Sequence, residues 1–232
     1  MKHYCYCNNK EFIKSIRRFT GKLMQEVCHI LKEDYNIGAI PCLVGSGANN
    51  LIMQNGIKPI DLDYNLEIIK LKKMEYRELK ECVRKAFNKA LSNRRLSNCQ
   101  DSKSVLSTGI IVVNKNLYGK DIFCSTVYDL NVYPANCFYI DVCIIRKSKN
   151  NIERLIHEKT GNIYNDKYYW NIAPDFNKIY EKVKYIKKKD KWEELKIEYE
   201  KIKNIYFNDR SRPSFICYIE SINNVYNSIK II

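Results

Sequence analysis

The sequence predicts an α/β fold of the α+β kind, in which helices flank a mixed sheet and a helical subdomain follows. Two observations predict it. Apolar residues recur at helical spacing near both ends of the chain, and the apolar runs between them are short or alternate with polar residues as strands do. With 232 residues the chain can bury a substantial core. We expect an α/β domain over 1–150 and a helical C-terminal subdomain over 151–232.

The first elements are a helix, a buried strand and a small-residue turn. Residues 10–33 have apolar positions three and four apart, which is typical of an amphipathic helix. The apolar run IGAIPCLV follows as a strand and ends in the turn Gly45-Ser46-Gly47. The next residues, ANNLIMQNG, are expected to form one or two helical turns before Gly56.

The second strand, IDLDYNLEII, alternates in polarity. A period of two places the apolar and the polar side chains on opposite faces, and only a strand has that period. The apolar face carries Ile60, Leu62, Tyr64 and Leu66, and the polar face carries Asp61, Asp63 and Asn65.

The remaining elements are a helix, further strands and a helical tail. Residues 74–92 have helical spacing, and three β-rich runs follow at 105–113, 122–133 and 137–145, with gaps short enough for hairpins. From about residue 150 the strand signal fades and three helices are expected. His157 is accordingly predicted to be an exposed residue of a helical stretch.

The cysteines and the termini indicate a soluble protein of the cytoplasm. None of the apolar runs is long enough to span a bilayer, and the N-terminus lacks the apolar core of a secretory signal. The ten cysteines are spread along the chain without a CxxC pair, so we expect them to be reduced. Zinc binding by His3, Cys5 and Cys7 is an alternative, but no second ligand pair follows at finger spacing.

The formal net charge of +14 has two explanations. A basic surface attracts polyphosphate, RNA or another acidic partner. Alternatively, the charge reflects a composition rich in Lys, Ile, Asn and Tyr. The densest run, KKKDK at 187–191, contains an aspartate and lies near glutamates, which favours a solvated face.

Asp61 and Asp63 are candidate metal ligands. Positions i and i+2 of a strand lie on one face, about 6.6–7 Å apart, so their carboxylates can converge on one cation or on a pair about 3.5–4 Å apart. Like charges placed together without a cation are unfavourable. Carboxylate oxygens suit Mg²⁺ or Mn²⁺. The alternative is that the two aspartates form the solvent face of an edge strand.

The turn that precedes them is a candidate phosphate site. Gly45 and Gly47 let the backbone approach a ligand closely, and Ser46 offers a hydroxyl and an amide. A phosphate cradle beside a metal-binding carboxylate pair is suited to phosphoryl or nucleotidyl transfer, where catalysis is mostly positioning and charge neutralisation.

This order of features resembles the polymerase-β-type nucleotidyltransferase superfamily: a strand ending in Gly-Ser, a short helix, then a strand with Asp-x-Asp. That superfamily places a third carboxylate on a later strand. Asp141 in CFYIDVCII matches it, as the one charge within an apolar run. Asp129 in VYDLNVY is the competing candidate, and we prefer Asp141 for its more apolar flanks.

The resemblance implies a nucleotidyltransferase-like domain and a role for each matching position. Gly45, Ser46 and the adjoining Gly47 would bind the phosphates of a nucleoside triphosphate. Asp61 and Asp63 would bind both metal ions, and Asp141 the ion that activates the acceptor hydroxyl. A nucleoside monophosphate would pass to the acceptor, with release of pyrophosphate.

The sequence is compatible with more than one class of acceptor. The basic charge favours an RNA or tRNA end, while a small molecule or a protein side chain is also compatible. The Tyr-rich segment 162–176 could stack a base or could pack within the protein. The alternative function is a non-catalytic basic protein that binds nucleic acid or a partner on a degenerate version of the fold.

Overall fold

The computed structural model describes residues 3–56, 58–125, 136–149, 151–173, 177–209 and 212–231. The chain divides into two compact units. The sheet unit comprises Asn8–Ile52 and Ile57–Ala173, and the helical unit comprises Met1–Cys7, Met53–Gly56 and Pro174–Ile232. A mixed sheet with helices and a separate helical part confirm the predicted fold class. The functional division of the chain near residue 150 stays a prediction.

The described residues form helices and strands with the following bounds. The helices are α1 (Lys10–Tyr35), α2 (Gly45–Asn49), α3 (Tyr76–Ser92), α4 (Asn177–Lys188), α5 (Trp192–Ile205) and α6 (Ser214–Ile231). The strands are β1 (Tyr4–Tyr6), β2 (Gly38–Leu43), β3 (Met53–Asn55), β4 (Ile60–Lys70), β5 (Gln100–Asp101), β6 (Leu106–Ser107), β7 (Ile111–Lys115), β8 (Asp121–Ser125), β9 (Cys137–Ser148), β10 (Asn151–Glu158) and β11 (Lys167–Ile172).

The main sheet runs in the order β11-β10-β9-β4-β2. Strands β4 and β9 pair in parallel, and the other neighbours in this order pair antiparallel. Near its N-terminal end β9 also pairs with β6 and β7, and β7 forms a hairpin with β8. The sheet is therefore mixed, and β9 is its most extensively paired strand.

Helix α1 covers one face of this sheet. Its N-cap is Asn9, whose side chain accepts a hydrogen bond from the amide of Phe12, and it ends at Asn36, which has a positive φ of 55°. Across the interface the hydroxyls of Thr20 and Tyr64 lie 2.9 Å apart, and both side chains are buried. The apolar face of β4 therefore packs towards α1 and leaves the aspartate face on the other side of the sheet.

Two sequence predictions about secondary structure were wrong. The turn Gly45-Ser46-Gly47 itself begins the five-residue helix α2, which ends at Asn49, and Met53–Asn55 pair with β1 as strand β3. Strands also continue beyond residue 150, as β10 and β11. Strand β10 was missed because Leu155, Ile156 and His157 are all buried, which removes the alternation that identifies a half-buried strand.

His157 is a buried residue of β10, so its prediction as an exposed helical residue was also wrong. It is 6% exposed. Its Nδ1 lies 2.8 Å from Oδ2 of Asp101, and its Nε2 lies 2.9 Å from Oδ2 of Asp166. The ring stacks on Tyr168 at a centroid distance of 4.2 Å. The Nζ of buried Lys80 lies 2.6 Å from Oδ1 of the same Asp101, so these polar contacts join α3, β5 and β10.

The helical unit has its own small core, formed where α4, α5 and α6 meet. Ile186, Leu195, Ile222 and Val225 are its buried residues. The short sheet of β1 and β3 belongs to this unit, and the Tyr6 hydroxyl donates to the carbonyl of Lys196 at 2.8 Å. Within the described parts of the chain, no helix has the length and apolar character needed to cross a membrane.

Candidate active site

Strand β4 presents the two predicted aspartates on one face, as its alternation indicates. Leu62 is fully buried and Tyr64 is 5% exposed, whereas Asp61 and Asp63 between them are half-buried. The apolar side chains anchor the strand in the core. Asp61 and Asp63 therefore project from a fixed part of the backbone.

The parallel pairing of β4 with β9 brings in the third carboxylate. In the register of the two strands Asp63 lies opposite Asp141, and Asp61 lies opposite Tyr139. Paired residues on neighbouring strands project from the same face of a sheet. One ligand oxygen from each of Asp61, Asp63 and Asp141 lies within 4.8 Å of the other two. The structure thus brings the three predicted residues together.

The charges in this cluster oppose one another. Burial and the neighbouring charge of Asp141 raise the pKa of Asp63 from 3.8 to about 6. Burial also raises the pKa of Asp141, against the effect of a hydrogen bond from Ser107, whose hydroxyl lies 2.5 Å from Asp141 Oδ1. Burial thus disfavours the charged forms of Asp63 and Asp141, and at Asp63 the neighbouring carboxylate adds to that effect.

The donor set fits a hard divalent cation. All three groups offer carboxylate oxygens, which Mg²⁺ and Mn²⁺ prefer, and their spacing allows either one ion or a pair about 3.5–4 Å apart. The raised pKa of Asp63 has the sign expected when an acidic group is buried beside another one without a cation. Asp61, Asp63 and Asp141 are therefore the residues that would hold the metal.

The glycine-serine turn lies directly beside these carboxylates. Gly45 begins α2 with a φ of +61°, and a Cβ added to it would lie 2.9 Å from Oδ2 of Asp63. The amide of Val44 donates to the carbonyl of Asp63 at 2.9 Å. Gly47 is buried, and a Cβ there would lie 3.1 Å from both Leu43 and Leu62. Close packing therefore favours glycine at both positions, and at Gly45 the positive φ does so as well. From the sequence, glycine was explained only by the close approach of a ligand.

Three residues near the site were not predicted. Ser107 on β6 donates to Asp141, as described above. Tyr139 lies opposite Asp61, and burial together with the nearby aspartates raises the pKa of its hydroxyl. Arg17 of α1 donates to the carbonyl of Gly47 and so places a guanidinium at the turn. Arg17 had no local sequence signal, because it is far from the turn along the chain.

Two other candidates from the sequence have different outcomes. Asp129, the competitor of Asp141, lies outside the described residues. In the Tyr-rich segment, Trp170 packs within the sheet unit, with its ring centroid 6.1 Å from that of Tyr76 and with the Arg146 guanidinium 4.5 Å above it. The ring of Tyr168 stacks on that of His157. Packing therefore accounts for these two aromatic residues, and residues 174–176 are outside the described part.

No protein-family model matches the chain, and no curated protein is similar to it in sequence. Similarity to solved structures is found at low identity. CdnG of Bradyrhizobium diazoefficiens, a CD-NTase in complex with GTP, is 14% identical with a TM-score of 0.41, covering 72% of this chain and 40% of that one. CdnC of E. coli MS115-1, with ATP, is 9% identical with a TM-score of 0.49, covering 93% and 61%.

A third similar structure is DncV of Vibrio cholerae, a cyclic AMP-GMP synthase. It is 13% identical with a TM-score of 0.41, covering 82% of this chain and 45% of that one. The chain spans less than two thirds of each of these three proteins. Because similarity at this level does not establish an activity, the function depends on the geometry of the site itself.

Substitution of Gly45 by alanine should disturb the site, and Gly56 offers a matched control. Gly56 has nearly the same φ, +60°, but no atom within 4 Å of an added Cβ. Both variants should lose about 1–2 kcal/mol of stability, because a side chain is strained at positive φ. Only Gly45→Ala should also displace Asp63 and weaken Mn²⁺ binding, which isothermal titration calorimetry would measure. Equal Mn²⁺ affinity in the two variants would contradict the close contact.

The pKa of Asp63 predicts how the stability of the metal-free protein depends on pH. A carboxyl with a pKa near 6 when folded and 3.8 when unfolded binds more protons in the folded state between those values. The free energy of unfolding should therefore fall as pH rises through this window, by up to about 3 kcal/mol from this group.

Urea unfolding in EDTA checks this expectation at two pH values, about 4 and about 7. The variant Asp63→Asn should lose less stability than the wild type between them and should be the more stable protein at the higher pH. The same pH dependence in both proteins would show that Asp63 titrates normally.

Proposed function

We propose that the chain is a metal-dependent nucleotidyltransferase, which transfers a nucleoside monophosphate from a nucleoside triphosphate to an acceptor hydroxyl and releases pyrophosphate. The observation that carries the proposal is the convergence of Asp61, Asp63 and Asp141 beside the turn at Gly45 and Ser46. A site that holds phosphates next to a divalent cation has the two components that phosphoryl and nucleotidyl transfer require.

Each group has a proposed role. Gly45, Ser46 and Gly47 bind the β- and γ-phosphates through the backbone and the serine hydroxyl. Asp61 and Asp63 hold the metal near the triphosphate, and Asp141 completes the set on the side of the acceptor. Mg²⁺ or Mn²⁺, when bound, supplies the positive charge that offsets the charge developing on the phosphates.

The protein positions these groups before the substrate arrives. Ser107 fixes one oxygen of Asp141 and leaves the other free to accept the proton of the attacking hydroxyl. The guanidinium of Arg17, which already contacts the turn, adds a positive charge that favours bound phosphate.

Two classes of acceptor fit the proposal. The net charge of +14 favours an RNA or tRNA end. A small molecule, including a second nucleotide, is the other class, and DncV is named as a synthase of cyclic AMP-GMP. A cytoplasmic location, as expected from the sequence, is part of the same proposal. The non-catalytic alternative is not favoured, because a degenerate site would be expected to lack one of the carboxylates, and all three are present and converge.

A thermal-shift panel of ATP, CTP, GTP and UTP with Mg²⁺ or Mn²⁺ tests the donor site. A nucleotide at a hundredfold excess over its Kd should stabilise the folded protein by about 2.7 kcal/mol. The variant Asp61→Asn/Asp63→Asn should lose the metal-dependent shift. The control Glu33→Gln/Asp34→Asn removes two carboxylates from the exposed end of α1 and should keep it.

Pyrophosphate release then tests the reaction itself. With the donor identified, the wild type should release pyrophosphate in the presence of an RNA, a tRNA or a second nucleotide. The acceptor that gains the nucleoside monophosphate identifies the acceptor class. Asp141→Asn should slow release by about a hundredfold or more, since it removes a metal ligand and a base. A full thermal shift without pyrophosphate release from any acceptor would support nucleotide binding only.

A further inference from the structure

The helical unit carries a groove between α4 and α6 that the proposed reaction does not use. Its volume is about 810 Å³, in the range of ligand-binding clefts. Among the described residues that line it, Glu181 alone is acidic. The others are aromatic or basic: Tyr180, Lys182, Lys184, Tyr185, Lys188 and Tyr226.

Helix α4 presents its lining residues as a continuous stripe. Tyr180, Lys184 and Lys188 are four residues apart and therefore lie on one side of the helix. Val183 and Ile186 pack into the core of the unit instead. Tyr180 is 66% exposed, and both lysines of the stripe are exposed. An exposed aromatic ring and two exposed ammonium groups thus lie along one side of the helix.

Tyr226 on α6 is held in place by cations. The Nζ atoms of Lys182 and Lys230 lie 5.2 and 4.8 Å from the centroid of its ring, and the ring of Tyr185 meets it edge-on at 5.3 Å. Lys182 Nζ also donates to Oδ1 of Asn223 at 2.6 Å. This side of the groove therefore has fixed aromatic surfaces and fixed positive charge.

We propose that this groove binds single-stranded nucleic acid. Phosphates of the strand pair with Lys184 and Lys188, and an unpaired base stacks on the ring of Tyr180. Proteins that bind single strands without sequence preference combine positive charge along the nucleic-acid backbone with aromatic rings on which bases stack. A duplex offers the same phosphates but keeps the faces of its bases stacked, so it cannot use Tyr180.

Fluorescence anisotropy with a labelled oligouridylate of about 16 nucleotides tests the proposal. The wild type should bind it more tightly than a duplex RNA of the same length. The variant Lys184→Glu/Lys188→Glu should bind about tenfold more weakly or worse at about 50 mM salt, with the slope of log K against log salt reduced by about 1.4. Tyr180→Ala should weaken binding by about fivefold or more and leave that slope unchanged.

Two controls separate the groove from general electrostatics and from catalysis. Lys72→Glu/Lys73→Glu changes the net charge equally, at two exposed residues between β4 and α3, and should bind nearly as the wild type does. Asp61→Asn/Asp63→Asn should bind oligouridylate undiminished. Failure of the proposed reaction would therefore leave this result intact.

Three outcomes would overturn the proposal. They are absence of oligouridylate binding at low salt, an equal loss in the two lysine variants, and equal affinity for duplex and single strand. The first outcome would instead favour a protein with an acidic surface as the partner of these lysines.

Discussion

The parallel pairing of β4 with β9 is the constraint on which the site depends. Its register sets Asp63 opposite Asp141 and Asp61 opposite Tyr139, so that three acidic groups from two distant segments share one face of the sheet. A slip of one residue would turn one set of carboxylates into the core. The apolar side chains that alternate with the aspartates prevent that slip, because Leu62 and Ile140 are fully buried on the other face.

The same register creates an electrostatic problem that a cation resolves. Burial raises the pKa of Asp63 to about 6, together with the charge of Asp141, because half-buried carboxylates within 4.8 Å of one another repel. In the metal-free protein this arrangement reduces stability at neutral pH. Such a cost is typical of functional sites, where groups are placed for a ligand and not for the stability of the fold.

Much of this site could be predicted from the sequence because its signals are local. The alternation in IDLDYNLEII fixes which face carries Asp61 and Asp63, and a lone charge in an apolar run identifies Asp141. Arg17 could not be found in this way, since its contact with Gly47 depends on how α1 packs against the turn. Ser107 was missed for a similar reason, because β6 contributes only two residues to the sheet.

The errors in the predicted fold arise from interactions between residues that are distant in the sequence. Strand β10 is stabilised by pairing on both sides and by the hydrogen bonds of His157 with Asp101 and Asp166. The sequence of the strand itself indicates none of these partners. The run KKKDK at 187–191 is predicted as a solvated face, and Lys187 and Lys188 at the end of α4 are exposed. Only the structure shows that Lys188 shares a groove with Lys182, Lys184 and the tyrosines of α4 and α6.

Titration with Mn²⁺, followed by the electron paramagnetic resonance signal of the free ion, tests the metal site most directly. If Asp61, Asp63 and Asp141 form one cation site, the wild type should bind Mn²⁺ saturably at neutral pH. Single substitutions of Asp63 or Asp141 by asparagine should each abolish that binding, while Glu33→Gln/Asp34→Asn should retain it. Unchanged Mn²⁺ binding in Asp63→Asn and Asp141→Asn would contradict the assignment of a metal centre to this face of the sheet.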